Sequence, residues 1–315
     1  MSDKIRTITI VIPTCNEEDN VMHAYEEVSR ILTNELPAYG WTILFIDNAS
    51  TDNTRDLIRM LAHKDKQHVK AIFNISNFGY LRSQFHGLVN ADGDCVVMLH
   101  ADLQNPPALI PEFVKKWEEG CSVVLGIKIP ERENPIMMIS RKLYYDIMGK
   151  IAQTPHVKNF ADFFLLDKDF VEIMKQLDDP VPYLRGIITE FGHKVGEIKY
   201  QRRPRARGKS KIRFFTAYDI AMDGITSTSK ALLRSATFMG GILAIICVVI
   251  AILTLIRKIM FWDSMAVGSA AISIGIFFIG AVVLIYLGIM GEYILSINQR
   301  VLNRPQVIEE ERINL

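Results

Sequence analysis

Two stretches of this 315-residue chain, 235–256 and 264–291, contain no charged side chain. Each exceeds the roughly 20 residues that cross a bilayer as a helix. Buried helices of a soluble domain rarely run so far without a charge, so the pair reads as two transmembrane helices, about 235–256 and 265–290. Arg257, Lys258 and Asp263 occupy the short connection, which makes a hairpin and puts both termini on one side. Lys230, Arg234, Arg300 and Arg304 flank its outer ends and outnumber the two basic residues of the connection. The positive-inside bias then predicts a cytoplasmic main domain on a multi-pass protein of the cell inner or plasma membrane. Its parts are a domain over 1–212, a juxtamembrane segment over 213–234, the hairpin over 235–292 and a cytoplasmic tail over 293–315. In the juxtamembrane segment Phe214, Tyr218, Ala221, Met222 and Ile225 recur at helical spacing, with Asp219 and Asp223 on the other side. That is the pattern of a helix lying on a membrane surface, or of one packed on the main domain.

The remainder reads as an α/β domain. Apolar, β-branched runs at 7–13, 42–46, 69–73, 96–99 and 122–125 alternate with segments of helical periodicity, as in a parallel doubly wound sheet. Four successive strands end in polar loops, at Asn16/Glu17, Asp47, Asn77 and Asp102, and Asn16 also suits a helix N-cap. In a parallel sheet such ends gather along one edge and form a polar crevice. No GxGxxG follows the first strand and no GxxxxGK[ST] occurs, which argues against a dinucleotide fingerprint or a P-loop. The acids suggest instead a magnesium or manganese ion holding a diphosphate. The segment 199–213 carries eight basic residues and no acid. It reads as a clamp on phosphates, as an anchor to anionic lipid, or as a solvated loop. A net charge of +1 gives no global field for nucleic acid. Four cysteines without CxxC spacing or a histidine cluster argue against zinc and against a disulfide framework, and the charged N-terminus leads straight into a strand with no signal peptide.

Several motifs together carry a resemblance. They are Val-Ile-Pro-Thr-Cys-Asn-Glu-Glu at 11–18, Ile-Asp-Asn-Ala-Ser-Thr-Asp-Asn-Thr at 46–54, Ser-Asn-Phe-Gly at 76–79, Ala-Asp-Leu-Gln-Asn-Pro-Pro at 101–107, Arg-Gly-Lys-Ser-Lys at 207–211 and Gly-Glu-Tyr-Ile at 291–294. The set resembles the family-2 glycosyltransferases over nearly the whole chain. The nearest branch is the polyprenyl-phosphate transferases, which includes dolichyl-phosphate mannose synthase and bacterial undecaprenyl-phosphate glycosyltransferases. The resemblance implies a GT-A (Rossmann-like) fold, a nucleoside-diphosphate sugar as donor, Mg2+ or Mn2+, a polyprenyl phosphate as acceptor and a lipid bilayer. A homo-oligomer is compatible with it. By matching position, Pro13, Thr14, Asn16 and Glu17 form the first nucleotide loop, Asp47 recognises base or ribose, and Asn77 lies in the third loop. Asp102 and Gln104 match the end of the metal motif, and Lys128 is the basic residue after the fifth strand. Arg205 and Lys211 match the phosphate loop, and Asp162 the acid near the reacting sugar.

Three positions depart from the family pattern. Asp-Asp-Gly-Ser is here Asp47-Asn48-Ala49-Ser50, Asp-Ala-Asp is His100-Ala101-Asp102, and Asn-Phe-Gly-Lys-Glu is Asn77-Phe78-Gly79-Tyr80-Leu81. His100 reads equally as a weaker metal ligand, a donor to phosphate or a packed residue. Two rival functions are a processive polysaccharide synthase and a non-catalytic membrane adaptor that kept the fold. Two membrane helices are few for a channel and no Gln-x-x-Arg-Trp occurs, while His100 is the one feature that favours an adaptor.

Overall fold

The computed structural model describes residues 5–129, 160–177, 179, 182–203, 269–302 and 305–315, with isolated positions between 242 and 260. The first four strands are β1 (Thr7–Thr14), β2 (Gly40–Asp47), β3 (Val69–Asn74) and β4 (Cys95–Met98). They pair in parallel in the order β3-β2-β1-β4. The crossovers are α1 (Val21–Glu35), α2 (Thr54–Lys64) and α3 (Tyr80–Val89). The strands read as unbroken apolar runs because both faces are covered. Ile8, Ile10, Ile12, Phe45 and Val97 pack under α1, α2 and α4 (Ile110–Glu118). Val11, Leu44, Ile46, Ile72 and Met98 pack on the opposite face with Phe85 and Leu88 of α3. At Gly87 an added Cβ would come within 2.9 Å of Val11 Cγ1, so the absent side chain lets α3 lie close on β1 and β2.

Beyond β4 the expected parallel pattern fails. The fifth predicted strand, β5 (Val123–Lys128), does not pair with β4. β6 (Phe160–Asp167) inserts between them, antiparallel to both. Its Phe-Phe-Leu-Leu run is short and apolar, and periodicity does not separate such a run from a buried helix. Next come α5 (Lys168–Lys175), α6 (Leu184–Phe191) and β7 (Val195–Tyr200), which lies parallel to β5 at the sheet margin.

The other margin is formed by the segment read as a tail. β8 (Glu309–Ile313) pairs antiparallel with β3, placing Ile72 opposite Arg312 and Phe73 opposite Glu311. Arg55 reaches Glu310 at 2.6 Å and Arg59 reaches Glu311 at 2.9 Å, while the Asn314 amide donates to the carbonyls of Ala62 and Val69. The second charge-free stretch lies largely within α7 (Ser269–Val301), where Ile272, Ile276, Leu284 and Leu287 are exposed. Among the described residues no helix is long and apolar enough to cross a membrane. The segment 213–234 lies outside the described residues, as does most of 235–256.

Candidate active site

The loops that follow β1, β2 and β3 are tied to one another by hydrogen bonds. Asn16 is not the N-cap of α1. The helix begins at Val21, and Asn16 sits in the left-handed region at φ 55°, a conformation that asparagine tolerates. Its backbone N–H donates to Ser50 Oγ at 2.8 Å, and its side-chain oxygen accepts from the Thr51 N–H at 2.7 Å. The Glu17 N–H donates to Thr54 Oγ1 at 2.8 Å. The half-buried Pro13 and the buried Thr14 close β1, and the Thr14 hydroxyl donates to Asp47 Oδ1 at 3.3 Å.

Asp47 is fully buried at the end of β2. It accepts the Ser50 N–H at 3.0 Å and the Ser50 hydroxyl, and Arg55 Nε lies 3.5 Å away. Burial raises its pKa above the usual carboxylate value, against the lowering effect of the Ser50 and Thr14 hydrogen bonds and the Arg55 charge. Asn48 donates to Asn77 Oδ1 at 2.9 Å, and accepts from the Asn74 amide at 3.1 Å and the Phe78 N–H at 3.0 Å. An aspartate could accept but could not donate, so the departure from the family pattern at this position belongs to the Asn77 loop. That loop turns into α3 through Gly79 at φ 89°.

Past β4, the His100 ring stacks on Tyr80 with centroids 5.8 Å apart, and its Nε2 lies 3.2 Å from the Tyr80 hydroxyl. Burial pushes the imidazole below its ordinary 6.5, while the charges of Asp162 and Asp102 work the other way. Of the three roles left open for His100, the packed residue is the one this contact describes. Asp102 accepts the Gln104 N–H at 3.2 Å. The Gln104 side-chain oxygen accepts from Arg202, its backbone carbonyl accepts the Arg203 N–H at 2.9 Å, and Tyr200 donates to Asn105 at 2.6 Å. The first residues of the basic run are therefore stapled to the Asp102 loop. Lys128 ends β5, half-buried and opposite Tyr200. Arg205 and Lys211 lie outside the described residues.

Asp162 enters from β6. The pairing of Met98 with Phe164 carries this acid to the same end of the sheet as His100. Its backbone is left-handed at φ 48°, and both carboxylate oxygens are taken by Arg185, from Nε and Nη2 at 2.9 Å each. Burial lowers the Arg185 pKa, but the charge and hydrogen bonds of Asp162 outweigh it and hold the guanidinium well above its ordinary value. Sequence reading did not single out Arg185. The available signal was a lone cation in the otherwise apolar turn Leu184-Arg185-Gly186-Ile187-Ile188.

Among the described residues no group of three or more His, Cys, Asp or Glu is assembled to hold a metal ion. Of the expected ligands, the Gln104 side-chain oxygen accepts from Arg202, the His100 ring lies against the Tyr80 hydroxyl, and Asp102 accepts the Gln104 N–H. A carboxylate at Asp102 fits an ion that draws most of its ligands from a bound diphosphate.

Residues 9–172 match the profile of glycosyl transferase family 2. The chain is 32% identical over 302 residues to the SfII prophage-derived bactoprenol glucosyl transferase of Shigella flexneri, covering 96% of each chain. It is 30% identical over 302 residues to a prophage bactoprenol glucosyl transferase homolog of Escherichia coli strain K12, covering 96% of this chain and 97% of that one. Among solved structures it is similar to glucosyl-3-phosphoglycerate synthase from Mycobacterium tuberculosis in complex with Mn2+, uridine diphosphate and phosphoglyceric acid. The identity there is 18% and the TM-score 0.48, over 70% of this chain and 76% of that one.

Proposed function

Since the chain belongs to glycosyl transferase family 2 and is a glycosyltransferase, we propose that it transfers a sugar from a nucleoside-diphosphate sugar to a polyprenyl phosphate. The product is a lipid-linked sugar, inverted at the anomeric carbon. The observation that carries this reading is the convergence at one sheet edge of the tied loops after β1, β2 and β3, the Asp102 loop with the foot of the basic run, and the Asp162–Arg185 pair. Relatives named bactoprenol glucosyl transferase along nearly their whole length support the lipid acceptor.

The acceptor phosphate has a second pKa of about 6 and is mostly dianionic at neutral pH, so its oxygen attacks without a strong general base. That oxygen bonds to the anomeric carbon while the bond from this carbon to the diphosphate breaks and its electron pair leaves with the diphosphate. The protein's task is to position both partners and balance the charge that moves. The joined loops of Thr14, Asn16, Asp47 and Asn77 form a rigid seat for the nucleoside. Asp47 serves it by holding Ser50 and the turn behind it. A magnesium or manganese ion at Asp102 would neutralise charge on the leaving group. Arg205 and Lys211, by their matching positions, add cations to the phosphates.

The membrane hairpin belongs to the same proposal, with the catalytic domain in the cytoplasm. Its support is the pair of charge-free stretches with basic outer flanks and the exposed isoleucines and leucines of α7. Incubation with a panel of labelled nucleotide sugars and a polyprenyl phosphate, followed by lipid extraction, tests the reaction. One donor is expected to label the lipid phase. Label in a polymer would favour a processive synthase, and label in nothing would favour the adaptor.

A further inference from the structure

We infer that Arg185 is the receptor for a phosphate monoester, the headgroup of the acceptor, with Asp162 serving to hold it in place. The inference rests on the proposed reaction and names the residue that meets its nucleophile. A guanidinium has two usable edges. The described hydrogen bonds of Arg185 engage one of them, Nε and Nη2, in a fork on the two oxygens of Asp162. The Phe160 ring lies under the group, its centroid 5.9 Å from the guanidinium carbon. The arginine side chain stays 35% exposed while its acid partner is 17% exposed, so the pair is open from the cation's side. The second edge, formed by Nη1 and the remaining hydrogen of Nη2, matches two phosphate oxygens.

The surroundings call for such a group. The register of β4 and β6 brings the Asp162 carboxylate to the end of the sheet where Asp102 lies, and both charges act on His100 and Tyr80. A phosphate dianion entering there meets two carboxylates and needs a cation in front of them. Among the described residues, Arg202 is held by Gln104, and Arg185 is the cation paired with Asp162. Both oxygens of Asp162 are already occupied by Arg185, and the reaction asks for no proton acceptor. The left-handed backbone of Asp162 at φ 48° is a local cost that accompanies functional positions. Asp162 is thus a positioning residue, and Arg185 the group that touches substrate.

The test is calorimetric titration of the full chain in neutral-detergent micelles with dodecyl phosphate, a single-chain phosphate monoester. A parallel arm uses pyrophosphate with Mg2+ to stand for the donor diphosphate. Arg185→Gln is expected to weaken dodecyl phosphate by at least about tenfold, the scale of one charge-assisted bidentate contact, and to leave pyrophosphate within about twofold. Arg185→Lys keeps the charge without the fork and falls between the two. Unchanged dodecyl phosphate affinity in Arg185→Gln overturns the inference. An equal loss of pyrophosphate also overturns it, by assigning the cation to the donor. Should Arg185→Gln fail to fold, the double variant Asp162→Asn/Arg185→Gln removes both charges, and asparagine tolerates the left-handed backbone. If Arg185 only neutralised Asp162, the double variant would regain wild-type dodecyl phosphate affinity, whereas a receptor role predicts that binding stays lost. Absence of binding in the wild type would instead sink the lipid-phosphate reading of the reaction itself.

Discussion

A single atom exchanged for another separates Asn48 from the aspartate that the family pattern has at its position. The amide donates to Asn77 and accepts from two other groups, so it joins the second and third loops. Asn48→Asp replaces the donor with an acceptor facing Asn77 Oδ1, in a residue 5% exposed. It is expected to destabilise the fold by about 1–3 kcal/mol in denaturant titration, and an unchanged midpoint would remove Asn48 from the joint. At Asp102 the expectation concerns turnover: Asp102→Asn should lower transfer by at least about a hundredfold with melting unchanged. Full wild-type activity in excess chelator would contradict the metal assignment. His100→Asp should tighten the metal titration if this position borders the ion, while an unchanged titration leaves His100 as the partner of Tyr80. In the basic run, Arg205→Ala and Lys211→Ala should cut transfer far more than Arg207→Ala, with equal small losses reducing the run to an anchor; Arg202 does not serve as a control because it donates to Gln104. The polar ends of β1 to β4 were legible in the sequence because each directly follows an apolar run. Arg185 was not, since its meaning lies in Asp162, 23 positions away, and in a strand whose direction the sequence does not state.

At the level of elements, the parallel half of the sheet was legible for the same reason, while β6 and β8 were not. β6 is an apolar run of ambiguous type, and β8 reads Glu-Glu-Glu-Arg-Ile, a composition poor in strand formers. β8 holds its place through distant partners, Arg55, Arg59 and His86, supplied by α2 and α3. This makes the margin sensitive to acid. Burial raises the Glu309 pKa, but hydrogen bonds from Arg312 and His86 outweigh it and hold the group below the ordinary 4.5 of a glutamate. Its folded pKa is depressed, so its contribution is present above about 4.5 and is lost as pH falls through the lower folded value. Hydrogen exchange should therefore show β8 losing protection as pH falls below the ordinary glutamate value of 4.5 while β1 and β2 keep theirs, and Glu309→Gln should reduce that dependence. Equal protection of β8 at neutral and acid pH would show that the strand does not depend on this carboxylate.

For the molecule as a whole, the described strands that precede and follow the two charge-free stretches, β7 and β8, belong to one sheet. Whatever passage the chain makes through a membrane between those strands must contain an even number of crossings, which agrees with two charge-free stretches and rules out an arrangement with one. On the proposed topology, cysteines placed at Ser2 and Leu315 resist an impermeant reagent in intact cells and one at Ser264 reacts; the reverse pattern would refute it. The same strand pairing also has a consequence in time. Arg59 and its partner Glu311 are 252 positions apart. At about 5–20 residues per second, the margin of β3 waits on the order of 10–50 s on the ribosome for the strand that covers it. During that interval β3 presents a row of unpaired backbone groups, the surface on which strands of other chains add. A chain released short of Glu309 keeps that surface permanently and is the form expected to be captured by chaperones or to collect in inclusion bodies.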